Sequence, residues 1–485
     1  MSYKVCGAQE RVFDDAEMTR YIAAEMRAFN IPGAAVGIVH NGRIEYLRGF
    51  GPADDGGRPI TPQTPFLIGS NSKSFTALGV MQLVEAGKVD LDKPVQEYLS
   101  WFRLKDFEAS KKITVRQLLN QTSGLYDSTT PFDEYVAKLG DVRLARLPDQ
   151  GYEYSDHNYE ILGILIEQVS HESYAAYMRE HVLSPLEMRA TYVTYDDAIA
   201  NGLAGGQQYL FGLTVSAATS RYASHDVPAG YIATSAEDMC HYLIAQQNGG
   251  VYRGASVVSP ASLAVMHRPR TDVDSDYGMG WFVESWNGHE SINHMGMNAN
   301  FSSMMNLLPE KGYGVVILTD VNSFSVLGKT NLMDGVIRRI YGQERIGYWP
   351  EELLVRLLLL IALLIEFAEL LYRLWQLRKF RYFVLPRLSI RVALPLVFGV
   401  AIVMVLLVAI PYYADATLWD MFELQPDMGY GLVSLAVLCL VNSLINSAVR
   451  SQPAIRWRFI TVRELPAVTL PYPAYARQEV PDDPR

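Results

Sequence analysis

Residues Asp14 to Phe29 have the polar and apolar spacing of a helix, and the pattern then changes to that of strands. The runs IPGAAVGIVH and RIEYLRGFG flank Asn41-Gly42. This predicts a hairpin, because a type I′ turn needs two residues that tolerate positive φ. In GSNSKSFTALGVMQLVEAGK, Gly69 to Lys88, the residues Phe75, Ala77, Leu78, Val80, Met81, Leu83 and Val84 leave almost no polar face. A helix apolar on nearly every side is buried, and Gly87 with Lys88 ends it. Next, ITVRQLLNQTSGLYD, YEYSDHNYEILGILIEQVS, PAGYIATSAEDMCHYLIAQQNGG and YGMGWFVES alternate helical and strand patterns up to GYGVVILTD near residue 320. Strands at both ends with helices between predict a mixed α/β domain whose two terminal hairpins share one antiparallel sheet.

Beyond residue 350 the pattern is different. Val392 to Ala414 and Gly429 to Val449 carry no charge and are long enough to cross a bilayer, which takes about 20 residues. Leu353 to Trp375 is a third expected span, interrupted by Arg356, Glu366, Glu369 and Arg373. The last three share one helical face, where they would meet other helices or lie at the surface. The expected layout is a domain over residues 10–345, a membrane region over 351–450 with spans at about 353–375, 392–414 and 429–449, and a cytoplasmic tail over 451–485. Six basic residues and no acidic one lie from Arg373 to Arg391, whereas Asp415, Asp420, Glu423 and Asp427 stand between Tyr413 and Met428 without a base. The positive-inside rule then places the first loop and the C-terminus in the cytoplasm and the N-terminal domain outside. The bilayer is thus an expected partner, and the spans offer a surface for a homo-oligomer. The start MSYKVCGAQERVFDD has no apolar leader. An exported domain needs one, so the expectation is a leader that precedes this start or has been removed.

Charge and cysteine usage narrow the functional classes. Up to residue 350 there are 29 Lys and Arg against 40 Asp and Glu, and 13 against 12 beyond it. An acidic domain without a basic run excludes nucleic acid as the expected partner. Cys6, Cys240 and Cys439 lie far apart and show no metal-ligand spacing, so neither a disulfide framework nor a metal site is expected.

Ser70-x-x-Lys73, at the head of the buried helix, is by itself a weak signal. A serine hydroxyl is a poor nucleophile until a base takes its proton, and a lysine one helical turn on lies on the same face. Three further segments follow in order: LLNQTSGL at 118–125, YSDHNYEILG at 154–163 and HMGMNANFSS at 294–303. Together the four resemble the serine β-lactamase and penicillin-binding peptidase superfamily, in its class C β-lactamase, D-alanyl-D-alanine carboxypeptidase and esterase branch.

The resemblance implies a β-lactamase/transpeptidase-like antiparallel sheet with a helical subdomain, and a Ser70 acyl-enzyme formed on a small-molecule or peptide amide or ester. It implies Lys73 and Tyr154 as the acid–base partners, the N–H groups of Ser70 and Met297 as an oxyanion hole, and no metal or organic cofactor. His294 stands where many relatives carry lysine, in a motif with Gly296. Asp156 stands where the Y-x-N asparagine is expected; an ionised aspartate only accepts hydrogen bonds, and its charge would hold a proton on Lys73 and move base duty toward Tyr154. Gln121 to Gly124 are expected to form a supporting turn, and His157, His225 and His289 to be structural.

The tail together with DVPAGY and NANFSS is similar to membrane-bound peptidases that activate nonribosomal-peptide prodrugs, such as the colibactin-maturing enzyme, by removing an N-acyl-D-asparagine cap. The positions matching their asparagine-binding residues are Asp156, Asp226, Asn298 and Asn300. The alternatives left open are a sensor or receptor domain that β-lactams acylate without turnover, a β-lactamase and an esterase.

Overall fold

The computed structural model describes residues 14–127, 130–219, 221–322, 332–343, 351–378, 390–413, 418, 421–422 and 425–451. Residues 1–13, the basic loop at 379–389, much of the acidic loop and the expected tail from 452 onward lie outside the described residues. Eight strands matter for the site: β1 (Ala34–His40), β2 (Arg43–Phe50), β3 (Gln207–Leu210), β4 (Leu213–Ser216), β5 (Phe282–Trp286), β6 (His289–Asn298), β7 (Phe301–Leu308) and β8 (Tyr313–Thr319). Six of them form one antiparallel sheet in the order β2-β1-β8-β7-β6-β5. The mixed α/β architecture and the shared sheet are as expected. Asn41 and Gly42 both take positive φ, as the two-residue turn between β1 and β2 requires.

The sheet separates two apolar layers, and the period-two alternation of its strands sorts side chains between them. Ala34, Val36, Ile38, Val315 and Ile317 pack under α1 (Asp15–Ala28) together with Leu332, Met333, Val336 and Ile337. Asp14 caps α1 by accepting from the N–H groups of Ala16 and Glu17. Ala35, Val39, Val316 and Leu318 face the opposite layer, where α2 (Ser72–Glu85), α3 (Asp156–Ser170) and α4 (Ala236–Gln247) gather. In α2 every residue from Ser72 to Met81 is buried, which is why its sequence has no polar face. After this domain come α5 (Glu351–Leu377), α6 (Ile390–Met404, continued by a π-turn to Tyr413) and α7 (Pro426–Ser451). Within them, Ala393–Tyr412 and Pro426–Val449 are long and apolar enough to cross a membrane. The α5 helix has the length but carries six charged residues, Glu351, Glu352, Arg356, Glu366, Glu369 and Arg373.

What places α2 against β6 is a close backbone approach. Gly69 takes φ +52°, and a Cβ there would lie 2.3 Å from the Met297 nitrogen; a Cβ on Gly296 would lie 1.9 Å from the Ile68 carbonyl oxygen. Ser303 reinforces the approach, donating to Ile68 O at 2.7 Å and accepting from Asn71 Nδ2 at 2.6 Å. Gly69→Ala adds both conformational strain and this collision, so it is expected to destabilise the protein by at least the ~1–3 kcal/mol typical of a strained backbone position. Gly254→Ala, also left-handed (φ +88°) but with open space around it, isolates the conformational share. Equal denaturation midpoints for the two variants would refute a steric role for the approach.

Candidate active site

Ser70 sits in a 3₁₀ turn, Gly69–Asn71, that runs directly into α2. One turn on, Lys73 is fully buried. Its Nζ lies 3.0 Å from Ser70 Oγ, 2.5 Å from Asp156 Oδ1 and 2.8 Å from the Ala229 carbonyl oxygen. Tyr154 donates to Ser70 Oγ at 2.7 Å, and the Lys73 nitrogen stands 4.8 Å above the Tyr154 ring. The structure thus brings Ser70, Lys73, Tyr154 and Asp156 together.

Each partner is held from elsewhere in the fold. Tyr154 ends the segment before α3, and Gln121 anchors that segment by accepting from the Ser155 N–H at 3.1 Å and, through its carbonyl, from the Glu153 N–H at 2.9 Å. Gln121 does so in a left-handed conformation, and Ser123 donates to Asn158 at 2.7 Å, so 121–124 is a supporting turn as expected. The Ala229 carbonyl belongs to the π-turn Val227–Tyr231. Thr76 donates to Pro228 O at 2.7 Å, and Gly163 leaves room for the Pro228 ring, which would lie 2.3 Å from a Cβ there.

Proton capacity limits what this arrangement can do. Ala229 O and an ionised Asp156 can only accept, so they occupy two N–H groups of Lys73. The remaining position on Nζ faces Ser70 Oγ. As an ammonium Lys73 donates there; as an amine it presents its lone pair to the serine proton. Tyr154 is a phenol in this setting, because burial first and the Asp156 carboxylate second push its pKa well above the ordinary tyrosine value. The expected movement of base duty toward Tyr154 therefore runs against its surroundings, which favour a proton donor.

The remaining sequence candidates separate. Gly296 and Met297 lie beside the Ser70 turn through the close approach, on a part of β6 that β5, paired only as far as Asn293, does not cover. Asn298 donates to Gly230 O at 3.0 Å, and its buried Oδ1 has no hydrogen-bond partner among the described residues. His294 is buried, with Nδ1 2.6 Å from Met295 O and Nε2 3.1 Å from the Tyr277 hydroxyl. The carbonyl requires a proton on Nδ1, so Tyr277 donates to Nε2 and the ring is neutral; burial and then the Lys73 charge push its pKa down to about 3. Asn300 donates to Ala217 O and Ala218 O at 2.9 and 3.2 Å and accepts from Gln208. Asp226 accepts from the Ala223 N–H at 2.9 Å and lies 3.5 Å from His225. His157 pairs with Glu160 at 2.6 Å, and His289 with Glu310 at 2.7 Å.

Three contributors carry no local signature in the sequence. These are the Ala229 carbonyl, Tyr277, and Asp127, whose Oδ1 accepts the Asp156 N–H at 2.9 Å. Among the described residues only Glu172, Glu180 and His181 come close enough together to hold a metal ion, and none stands on an element that carries Ser70, Lys73 or Tyr154.

The profile described as Beta-lactamase matches residues 18–332 of this chain. The chain belongs to the beta-lactamase family. It is 31% identical over 422 residues to Protein flp of Staphylococcus aureus strain MW2, covering 81% of each chain. Coverage of that extent reaches past residue 332 into the C-terminal helices. Penicillin-binding protein 4 of Amycolatopsis lactamdurans is 26% identical over 332 residues, covering 64% of this chain and 86% of its own. Among solved structures, the octameric penicillin-binding protein homologue from Pyrococcus abyssi shares the fold with a TM-score of 0.59 at 24% identity, covering 72% of this chain and 81% of its own. SurE does so at 0.57 and 22%, covering 69% and 78%.

The raised phenol of Tyr154 has a consequence for stability. The unfolded tyrosine ionises near pH 10 while the folded one keeps its proton, so its contribution is intact below about pH 10 and is lost as pH rises above it. Tyr154→Phe is expected to remove up to about 1.4 kcal/mol per pH unit of this decline between roughly pH 10 and 12. Guanidinium unfolding across that range checks it, and parallel declines for both proteins would show that Tyr154 ionises as readily folded as unfolded.

Proposed function

We propose that this beta-lactamase-family chain is a membrane-anchored serine hydrolase that cleaves an amide or ester through a Ser70 acyl-enzyme. The observation that carries the reading is the position of Ser70 Oγ between Tyr154 Oη at 2.7 Å and Lys73 Nζ at 3.0 Å. In the proposed reaction Ser70 Oγ attacks the carbonyl carbon and its proton passes to the Lys73 amine. The N–H groups of Ser70 and Met297 hold the oxyanion, and Tyr154 protonates the departing amine or alcohol. Water then enters by the reverse path and releases the acid.

Two features narrow the substrate. Penicillins carry a carboxylate near the reacting carbonyl, but the residue at the position where relatives carry lysine is His294, neutral and turned to Tyr277. Asp156 leaves 44% of its side chain accessible beside Lys73 and accepts rather than donates. A substrate presenting a hydrogen-bond donor fits this better than an anionic one. The reading is accordingly a peptidase for D-amino-acid substrates, of the kind that removes an N-acyl-D-asparagine cap, whose side-chain NH2 meets Asp156.

The helical tail supports the anchoring. Val397, Phe398, Leu364 and Ile365 each leave about three-fifths of their surface uncovered, an exposure that hydrocarbon accommodates and water penalises. In this reading α5, α6 and α7 cross the cytoplasmic membrane and the hydrolase domain faces outward, in keeping with the loop charges.

Ser70→Ala is expected to abolish labelling by a fluorophosphonate, read by intact mass, with the circular dichroism of the wild-type protein retained. Undiminished labelling would overturn the nucleophile assignment, and a wild-type adduct formed stoichiometrically from every substrate class without turnover would favour the acylated-sensor reading. For Asp156→Asn the expectation is a fall of about tenfold or more in kcat/KM on N-acyl-D-asparaginyl amides, equivalent to ~1.4 kcal/mol for a charge-assisted hydrogen bond, together with faster acylation by penicillins. An unchanged preference between the two would remove Asp156 from substrate recognition.

A further inference from the structure

The hairpin β3–β4 is a projection whose construction serves no step of the proposed chemistry. From Leu203 to Ser220 the chain has no charged residue. Tyr209 packs into the domain's core, but Leu210, Leu213 and Val215 are 49%, 69% and 40% exposed, so these three side chains are not spent on it. The two-residue turn is Phe211–Gly212, both with positive φ (50° and 89°). A phenylalanine in that conformation is strained and persists only where something holds it. What holds it is the helical tail: the Phe211 N–H donates to Asp427 Oδ2 at 2.7 Å, and a Cβ on Gly431 of α7 would lie 3.5 Å from the Phe211 ring.

Asp427 also pairs with Arg356 of α5, and both side chains are almost fully buried. Arg356 lies 4.8 Å above the Tyr209 ring of β3. Asn30 donates to Gly212 O at 2.9 Å, so the turn is held from the hydrolase side as well.

These contacts fix the height of the hairpin. Its tip reaches Gly431, inside the apolar stretch Pro426–Val449 rather than above it. We infer that β3–β4 is a membrane-contacting wedge, with Leu210, Leu213 and Val215 seated at the boundary between headgroups and acyl chains of the outer leaflet. The occupant is lipid because Phe211, in the turn between the uncovered apolar residues, packs on the apolar helices of the tail, and because the segment offers no charge to a protein or anionic partner. An amphipathic element of this kind sinks roughly 5–10 Å into the interface. This inference rests on the membrane reading above.

The base of the wedge leads to the catalytic elements. The Gln207 N–H donates to Asp320 O at 2.7 Å, and Gln208 Nε2 donates to Asn300 Oδ1 at 3.0 Å, in the turn that follows Met297. A wedge seated in lipid therefore holds the Ser70 cleft at a set distance from the membrane surface.

The test places a bimane fluorophore at Leu213→Cys in a Cys6→Ser background, using the full chain in phosphatidylcholine nanodiscs with chains brominated near the glycerol. Val408→Cys in the π-turn after α6 and Glu310→Cys in the turn between β7 and β8 are the references. The expectation is loss of about half the emission at Leu213, as for a group within the interfacial region, with quenching at Val408 and none at Glu310. Quenching at Val408 with an unquenched Leu213 would overturn the wedge and leave the anchoring intact, whereas no quenching at Val408 would remove the anchoring and the wedge together. A Leu213 label that is unquenched but shifts to the blue as protein per disc increases would mean that a second copy of the chain covers the hairpin, and would overturn the proposal.

Discussion

A lysine nitrogen shut away from water must find its hydrogen-bond partners within the protein, and the partners of Lys73 come from three separate parts of the chain. Asp156 opens α3, Ala229 lies in a π-turn, and Ser70 stands in the 3₁₀ turn that runs into the lysine's helix. Leaving a buried polar group without one of its partners costs about 1–3 kcal/mol, so the three elements are bound to one another through a single atom. The aspartate has a mixed influence. It satisfies the lysine, raises the barrier to ionising Tyr154, and when ionised accepts hydrogen bonds without being able to donate any.

The elements legible in the sequence are those governed by local rules. Asn41-Gly42 announced its turn, the unbroken apolar surface of 75–84 announced a central helix, and the strand patterns at both ends of the domain announced a shared sheet. The site was legible less directly. Ser70 and Lys73 are one helical turn apart, so their proximity follows from spacing, whereas Tyr154 reached the set through resemblance. The Ala229 carbonyl could not be foreseen, because any residue can supply a carbonyl and only the π-turn aims this one. His294 was placed correctly on its strand, but its hydrogen bond to Tyr277 depends on a residue seventeen positions away whose role has no motif.

The tail shows a different limit. Its charges were visible as interruptions of an apolar run, and Arg356 read as a flaw in a possible span. In the fold Arg356 meets Asp427 in a buried pair at the point where two helices receive the β3–β4 turn. A charge that weakens one pattern thus became the site of a joint between two parts of the molecule. Recognising that required a partner from each side.

The pairing of β1 with β8 orders events in time. Residues 34–40 pair at once with 43–50 but find their second neighbour only at 313–319, so the sheet cannot close until almost the whole hydrolase domain has been synthesised. Such distant pairing makes folding slow, since a long loop must close before any ladder bond forms. By then the helical tail is next to emerge, and the β1–β2 hairpin has waited with an open edge throughout. A chain built in this way is most exposed to mispairing during its own production, and its yield is governed by how that edge is sheltered before the last strand arrives.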